Sequence, residues 1–179
     1  MPRLIHLNGP SRVGKSRLAR RYGEEHPGTL VLDIDVLAGL IGGWREDFFG
    51  TVRTARGHGR ALAQRHLSQG GDVVLPQLVT SHDRDLGFDD VAQAAGAHYL
   101  EVVLDADQET LRRRLHRKLP TTDVETHIQA LLTDPDGDLV DRTRNHLAEY
   151  LADRPEAVRL DTTDLDEDEA YALLLRVID

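Results

Sequence analysis

Eight residues of this chain, Gly9-Pro10-Ser11-Arg12-Val13-Gly14-Lys15-Ser16, satisfy the spacing G-x-x-x-x-G-K-[ST]. A run of that type can wrap a phosphate: the glycines let the backbone turn without Cβ clashes, and its N–H groups point inward. In that pattern Ser11, Arg12 and Val13 contribute to the cradle, Lys15 reaches the outer phosphates, and Ser16 offers a hydroxyl to Mg²⁺. Only Lys15 and Lys118 are lysine among 22 Lys and Arg residues. A compact ammonium fits between phosphate oxygens where a planar guanidinium does not, a reason for position 15 to resist the arginine bias.

Asp33 and Asp35 stand two residues apart at the end of an apolar run, residues 29–35, that reads as a second strand. While the chain stays extended both carboxylates face one side. Two carboxylates beside a phosphate site suit two tasks, holding Mg²⁺ and accepting a proton from an attacking hydroxyl. The third strand ends in Leu75-Pro76-Gln77 and carries no Walker-B aspartate, so metal duty falls on Ser16 with Asp33 or Asp35. Gln77 is a candidate hydrogen-bonding group for the substrate. The dense basic run Arg112-Arg113-Arg114-Leu115-His116-Arg117-Lys118 places Arg113 and Arg117 at i,i+4, ahead of a polar segment suited to a lid over residues 118–141. Arg142 and Arg144 could meet the same phosphates. Residues 43–60, with Trp44, Arg53 and Arg56, are expected to form an acceptor pocket.

These groups must be positioned by the elements around them. Apolar strands near residues 4–8, 29–35, 72–76, 99–104 and 157–160 alternate with helical patterns, which argues for parallel βαβ units with right-handed crossovers. The expected class is α/β: a three-layer αβα sandwich on a parallel five-stranded sheet, as one domain over residues 1–179. Ligands then bind outside the carboxyl ends of the strands, where the motifs above all fall. With no cysteine, disulfides and thiolate metal sites are excluded. The formal charge of −9 and few aromatic residues speak against a nucleic-acid surface. Neither a leader pattern nor a bilayer-length apolar run is present. A soluble cytoplasmic protein without a membrane partner, monomer or homodimer, is expected.

Leu7-Asn8-Gly9 with Ser11 and Gly14-Lys15-Ser16 resembles the P-loop of chloramphenicol phosphotransferase-like proteins. The pair Asp33-x-Asp35 is similar to that of shikimate and gluconate kinases, and the chain thereby resembles the small P-loop kinases among the AAA-type P-loop ATPases. That likeness implies the P-loop nucleoside-triphosphate hydrolase fold with a lid, ATP and Mg²⁺ as cofactors, Asp33 for the metal and Asp35 for the substrate hydroxyl. The stretch from Arg113 to Arg117 resembles an adenylate-kinase-like helix whose first arginine packs on adenine and whose second meets phosphate. Pro76-Gln77 stands where shikimate kinases carry a glycine-rich motif, and the Walker-B position differs from chloramphenicol phosphotransferase. Neither of those substrates is implied. The expectation is an ATP- and Mg²⁺-dependent transfer of phosphate to a hydroxyl of a metabolite, nucleoside or antibiotic, with Lys15, Asp35 and Arg117 as catalytic groups. The alternatives are a kinase of nucleoside or nucleic-acid 5′-hydroxyls and a regulatory ATPase module.

Overall fold

A computed structural model describes residues 1–82, 87–117 and 119–178. Lys118, at the edge of the expected lid, residues 83–86 of the polar stretch after the third strand, and Asp179 lie outside the described residues.

Five parallel strands form the sheet: β1 (Arg3–Asn8), β2 (Leu30–Val31), β3 (Val73–Pro76), β4 (His98–Asp105) and β5 (Val158–Asp161), in the order β2-β3-β1-β4-β5. Between them run α1 (Lys15–Glu25), α2 (Ile34–Gly39), α3 (Phe48–Ser68), α4 (Phe88–Ala94), α5 (Gln108–Arg117), α6 (Asp123–Leu132) and α7 (Leu139–Ala152), with α8 (Glu167–Ile178) last. The expected αβα architecture is what the chain adopts. Ile5 and Leu7 of β1 pack with α1 and α8 on one face, while Leu4 of the same strand packs with α2, α3 and α4 on the other. Central strands buried on both faces read as continuous apolar runs, and Val73, Val74 and Leu75 show no exposure at all. Strand order reverses direction around β1, so the crevice at its carboxyl end falls where the glycine-rich run begins.

The second strand is shorter than expected. It pairs only at Leu30 and Val31, because the Asp33 side chain accepts the Asp35 N–H at 3.1 Å and caps α2. An N-cap aspartate stabilises a helix start by about 1 kcal/mol, and the strand ends at Val31 instead of running on to residue 35. Asp33 and Asp35 therefore share a helix entry rather than one face of a strand.

Polar groups also cross the sheet interior. His6 on β1 is buried, its Nε2 2.8 Å from the Gln77 carbonyl and its Nδ1 2.8 Å from the Tyr99 hydroxyl. A carbonyl only accepts, so Nε2 carries the proton and Nδ1 accepts from tyrosine. Burial lowers the His6 pKa below its ordinary 6.5, against the opposing pull of Glu101. In the unfolded chain the imidazole protonates near 6.5, whereas in the fold it resists, so its contribution to stability is present above that pH and is lost on acidification. The thermal midpoint should accordingly fall more steeply below pH 6.5 in the wild type than in His6→Gln. Equal slopes for the two proteins in a pH series of melts would contradict this.

Candidate active site

At the carboxyl end of β1 the backbone leaves the sheet through Gly9. Its φ is +131°, and an added Cβ would lie 2.1 Å from the Leu104 carbonyl oxygen, so only glycine fits. The preceding residue fixes the exit direction. Asn8 Oδ1 accepts from the Gly9 N–H at 2.8 Å and the Val79 N–H at 3.0 Å. Its Nδ2 donates to the Val79 carbonyl at 3.1 Å and to Glu101 at 2.8 Å. Tyr150 of α7 donates its hydroxyl to the other oxygen of Glu101 at 3.2 Å. This buried set ties the loop entry to the segment after β3 and to α7.

The loop ends at Gly14, whose φ of +115° places it in the left-handed region, as the N-cap of α1. No side chain caps this helix and no acidic residue occupies its first turn. Eleven residues of helix thus present their positive end and first-turn N–H groups toward the loop, the arrangement that receives an anion. Lys15 folds back beneath the loop, donating from Nζ to the carbonyls of Gly9 at 2.8 Å and Pro10 at 2.9 Å. Burial lowers its ammonium to about 8, with the carboxylates of Asp35 and Asp33 opposing. Asp35 is raised to about 6, first by burial and then by Asp33, while Lys15 and Arg56 pull it down. Both residues keep some surface toward the cleft, and their charged ends are enclosed by protein. A lysine and a carboxylate, each shifted toward neutrality and each stabilising the other's charge, mark this spot as the electrostatic centre of the site.

A cleft of about 2110 Å³ opens over this centre. Single small-molecule pockets measure roughly 300–1,000 Å³, so the cleft has room for two ligands side by side. Ser11, Arg12, Val13, Gly14, Lys15 and Ser16 form its floor together with Asp33 and Asp35. Its lining divides by position on the sheet into two arms: Arg114, Arg117, Thr162 and Leu165 come from the β4–β5 side, and Trp44, Arg53, Arg56 and Gln77 from the β2–β3 side. Arginines outnumber carboxylates along the walls of a chain whose net charge is −9, so the cleft focuses positive potential inside an acidic protein.

The basic helix α5 departs from its expected phase. Arg113 donates to Thr110 Oγ1 at 3.0 Å and does not line the cleft, whereas Arg114 and Arg117 do. Thr110 is the buried residue of α5, and Arg114 lies one turn beyond it on the same stripe. Arg114 reaches the carbonyls of Thr162 at 2.6 Å and Val13 at 3.5 Å, joining the phosphate loop to the segment after β5. Arg142 borders the cleft and Arg144 does not. Trp44 is buried, edge-on to Phe48 at 6.4 Å and to His127 at 5.5 Å, so it braces the cleft wall against α6 as well as lining it. Gln77 is buried at the carboxyl end of β3 with its amide donating to the Leu78 carbonyl at 3.2 Å. The set built by Asn8, Glu101 and Tyr150 escaped sequence reasoning, although a glutamate inside the apolar run of β4 was a visible irregularity.

The fit of a divalent cation can be judged from the donors. Ser16 and Asp33 supply hard oxygens on the cleft floor, which suits Mg²⁺, an ion that keeps most of its waters and takes one or two protein ligands plus phosphate. Among the described residues no group of three or more His, Cys, Asp or Glu is arranged to hold a metal alone. No helix of the described residues is long and apolar enough to cross a membrane.

A family model for the AAA domain matches residues 4–134, which span the phosphate loop, the Asp33–Asp35 pair and α6. The chain belongs to this family. Its fold recurs in a protein of Chloroflexus aurantiacus described as a "putative kinase", with a TM-score of 0.69, 16% identity and coverage of 99% of this AAA domain chain and 94% of that one. The tunicamycin resistance protein of Deinococcus radiodurans aligns with a TM-score of 0.61 at 18% identity, covering 99% of this chain and 96% of that one. No curated protein sequence matches the chain.

Proposed function

We propose that the protein transfers the γ-phosphate of ATP, with Mg²⁺, to a hydroxyl group of a small molecule. The observation that carries this reading is the enclosed Asp35 carboxylate beside Lys15, at the meeting point of two arms of a cleft with volume for a nucleotide and an acceptor together. A module that only binds or hydrolyses nucleotide has no use for the second arm. The nature of the two similar folds, one described as a "putative kinase" and the other as a resistance protein, agrees with transfer to a small molecule.

In this mechanism the uncapped first turn of α1 and the loop N–H groups hold the β- and γ-phosphates, and the Lys15 ammonium, released from the Gly9 and Pro10 carbonyls, turns to them. Contact with phosphate opposes the effect of burial on Lys15 and favours its ammonium form further. Arg117 and Arg114 line the cleft and would stabilise the charge that spreads over the transferring phosphoryl oxygens. Ser16 and Asp33, whose oxygens line the cleft floor, would hold Mg²⁺, which would supply charge neutralisation to the phosphate oxygens. Asp35 accepts the proton of the acceptor hydroxyl. Its raised pKa makes it a better base than an ordinary aspartate while leaving it mostly ionised at neutral pH. The acceptor arm is bordered by Trp44, Arg53, Arg56 and Gln77.

Residues 119–141 act as the lid of this site. Gln129 of α6 accepts from Arg12 of the phosphate loop and donates to the Leu115 carbonyl at 2.9 Å, so α6 is latched to both the loop and α5. Filling the loop with phosphate is expected to lock this latch and slow amide exchange across α6, measured with and without an ATP analogue. Identical exchange in the two states would remove the lid from the mechanism. The function itself is tested by ADP release in the presence of sugars, nucleosides, antibiotics and amphipathic alcohols. At least one class should raise the rate well above the basal hydrolysis. If none does, the protein is not a small-molecule phosphotransferase.

A further inference from the structure

The acceptor arm has a chemical character beyond a capacity for hydroxyls. Among the described residues, large apolar side chains exposed to water are few, and Val36 at 60%, Leu40 at 78% and Phe49 at 57% all border this one cleft. Their spacing is regular. Val36 and Leu40 are one turn apart on α2 and beside its end, and Phe49, Val52, Arg53 and Arg56 follow one stripe of α3. The same cleft is lined by Ile128, Leu131 and Leu132 of α6 and Leu139 of α7. Apolar side chains from four helices gathered on one cleft mark a ligand groove rather than scattered surface residues.

Within this apolar channel the charges are ordered by depth. Asp35 lies on the floor with Arg56 close enough to lower its pKa, and Arg56 donates to the Leu78 carbonyl at 3.2 Å. Arg53 is one turn nearer the mouth, exposed, and among the described residues it has no ion-pair partner. A free sugar would leave Leu40 and Phe49 wet and Arg53 without a counter-charge.

Resting on the phosphotransferase reading above, we infer that the acceptor is an amphipathic anion: an alcohol with an apolar body seated between Leu40, Phe49 and α6, and a carboxylate or phosphate group at Arg53. The guanidinium pairs with a planar or tetrahedral oxyanion through two N–H donors, and this contact sets which hydroxyl arrives at Asp35.

The test is a binding measurement on the protein saturated with Mg²⁺ and a non-hydrolysable ATP analogue, so that the nucleotide arm is filled. Three probes are titrated calorimetrically: 4-phenylbutyrate, which has body and anion; 4-phenylbutanol, which has only the body; and butyrate, which has only the anion. The first should bind about tenfold more tightly than either of the others, as expected for one additional charge-assisted or apolar contact. Arg53→Gln should bring 4-phenylbutyrate down to the affinity of the alcohol, and Phe49→Ser to that of butyrate. Both positions are exposed, so the variants fold. Equal affinity for the three probes, or a preference that survives both substitutions, overturns the inference. Selective binding of 4-phenylbutyrate without phosphate transfer to any acceptor would uphold the ligand class and sink the phosphotransferase. Transfer confined to free sugars with equal probe affinities would do the reverse.

Discussion

Lys15→Ala is expected to weaken ATP binding by about 10²-fold or more and to abolish turnover, while the folded protein persists. A charge-assisted hydrogen bond contributes about 1.5–3 kcal/mol, and this ammonium serves two roles in turn. In the free protein it closes the loop on the Gly9 and Pro10 carbonyls, and with nucleotide bound it neutralises the outer phosphates. Lys15→Arg should fail nearly as badly, because the planar guanidinium does not fit beneath a loop whose entry is fixed by the contact of Gly9 with Leu104. Calorimetric titration with ATP, alongside a melt to establish folding, reads both variants. Unchanged affinity together with unchanged turnover would remove the phosphate-loop assignment.

The second large effect belongs to Asp35. Asp35→Asn keeps the size of the side chain and removes its basicity, so transfer should fall about 10²–10⁴-fold, the usual contribution of a general base. Nucleotide affinity should change little by comparison, since the cradle of residues 9–16 is untouched. Asp33→Asn separates the other duty. Its carboxylate caps α2 and faces the cleft beside Ser16, so the variant should require more Mg²⁺ for half-maximal rate. Initial rates against Mg²⁺ concentration for the two variants distinguish base from metal ligand. Transfer by Asp35→Asn at the wild-type rate would move the base elsewhere in the cleft.

Much of this arrangement is legible in the chain itself, for physical reasons. The phosphate loop is a local motif in which contiguous residues do the chemistry, so its composition alone announces it. Parallel strands buried on both faces leave unbroken apolar runs, which is why β1, β3 and β4 stand out. The short β2 was harder, because the residues that end it are polar side chains acting on their own backbone. Asp33 stops the strand by capping α2, an event that periodicity cannot register. The same limit applies on α5, where spacing groups Arg113 with Arg117 but only packing around Thr110 turns Arg114 inward. Asn8, Glu101 and Tyr150 come from three distant stretches, and nothing local links them until the sheet forms. The acceptor arm shares this difficulty, since Leu40 and Phe49 look like ordinary helix residues until the fold gathers them with α6 on one cleft.

The fate of the γ-phosphoryl group decides the central claim most directly. Phosphorus NMR of the wild-type protein incubated with MgATP and the acceptors identified by ADP release follows that group without assumption about the acceptor. A phosphomonoester resonance should grow in proportion to ADP, and it should be lost with Lys15→Ala. If inorganic phosphate is the sole product, formed at one rate with or without any acceptor, the protein hydrolyses ATP and transfers nothing, and the role given to the second arm of the cleft is wrong.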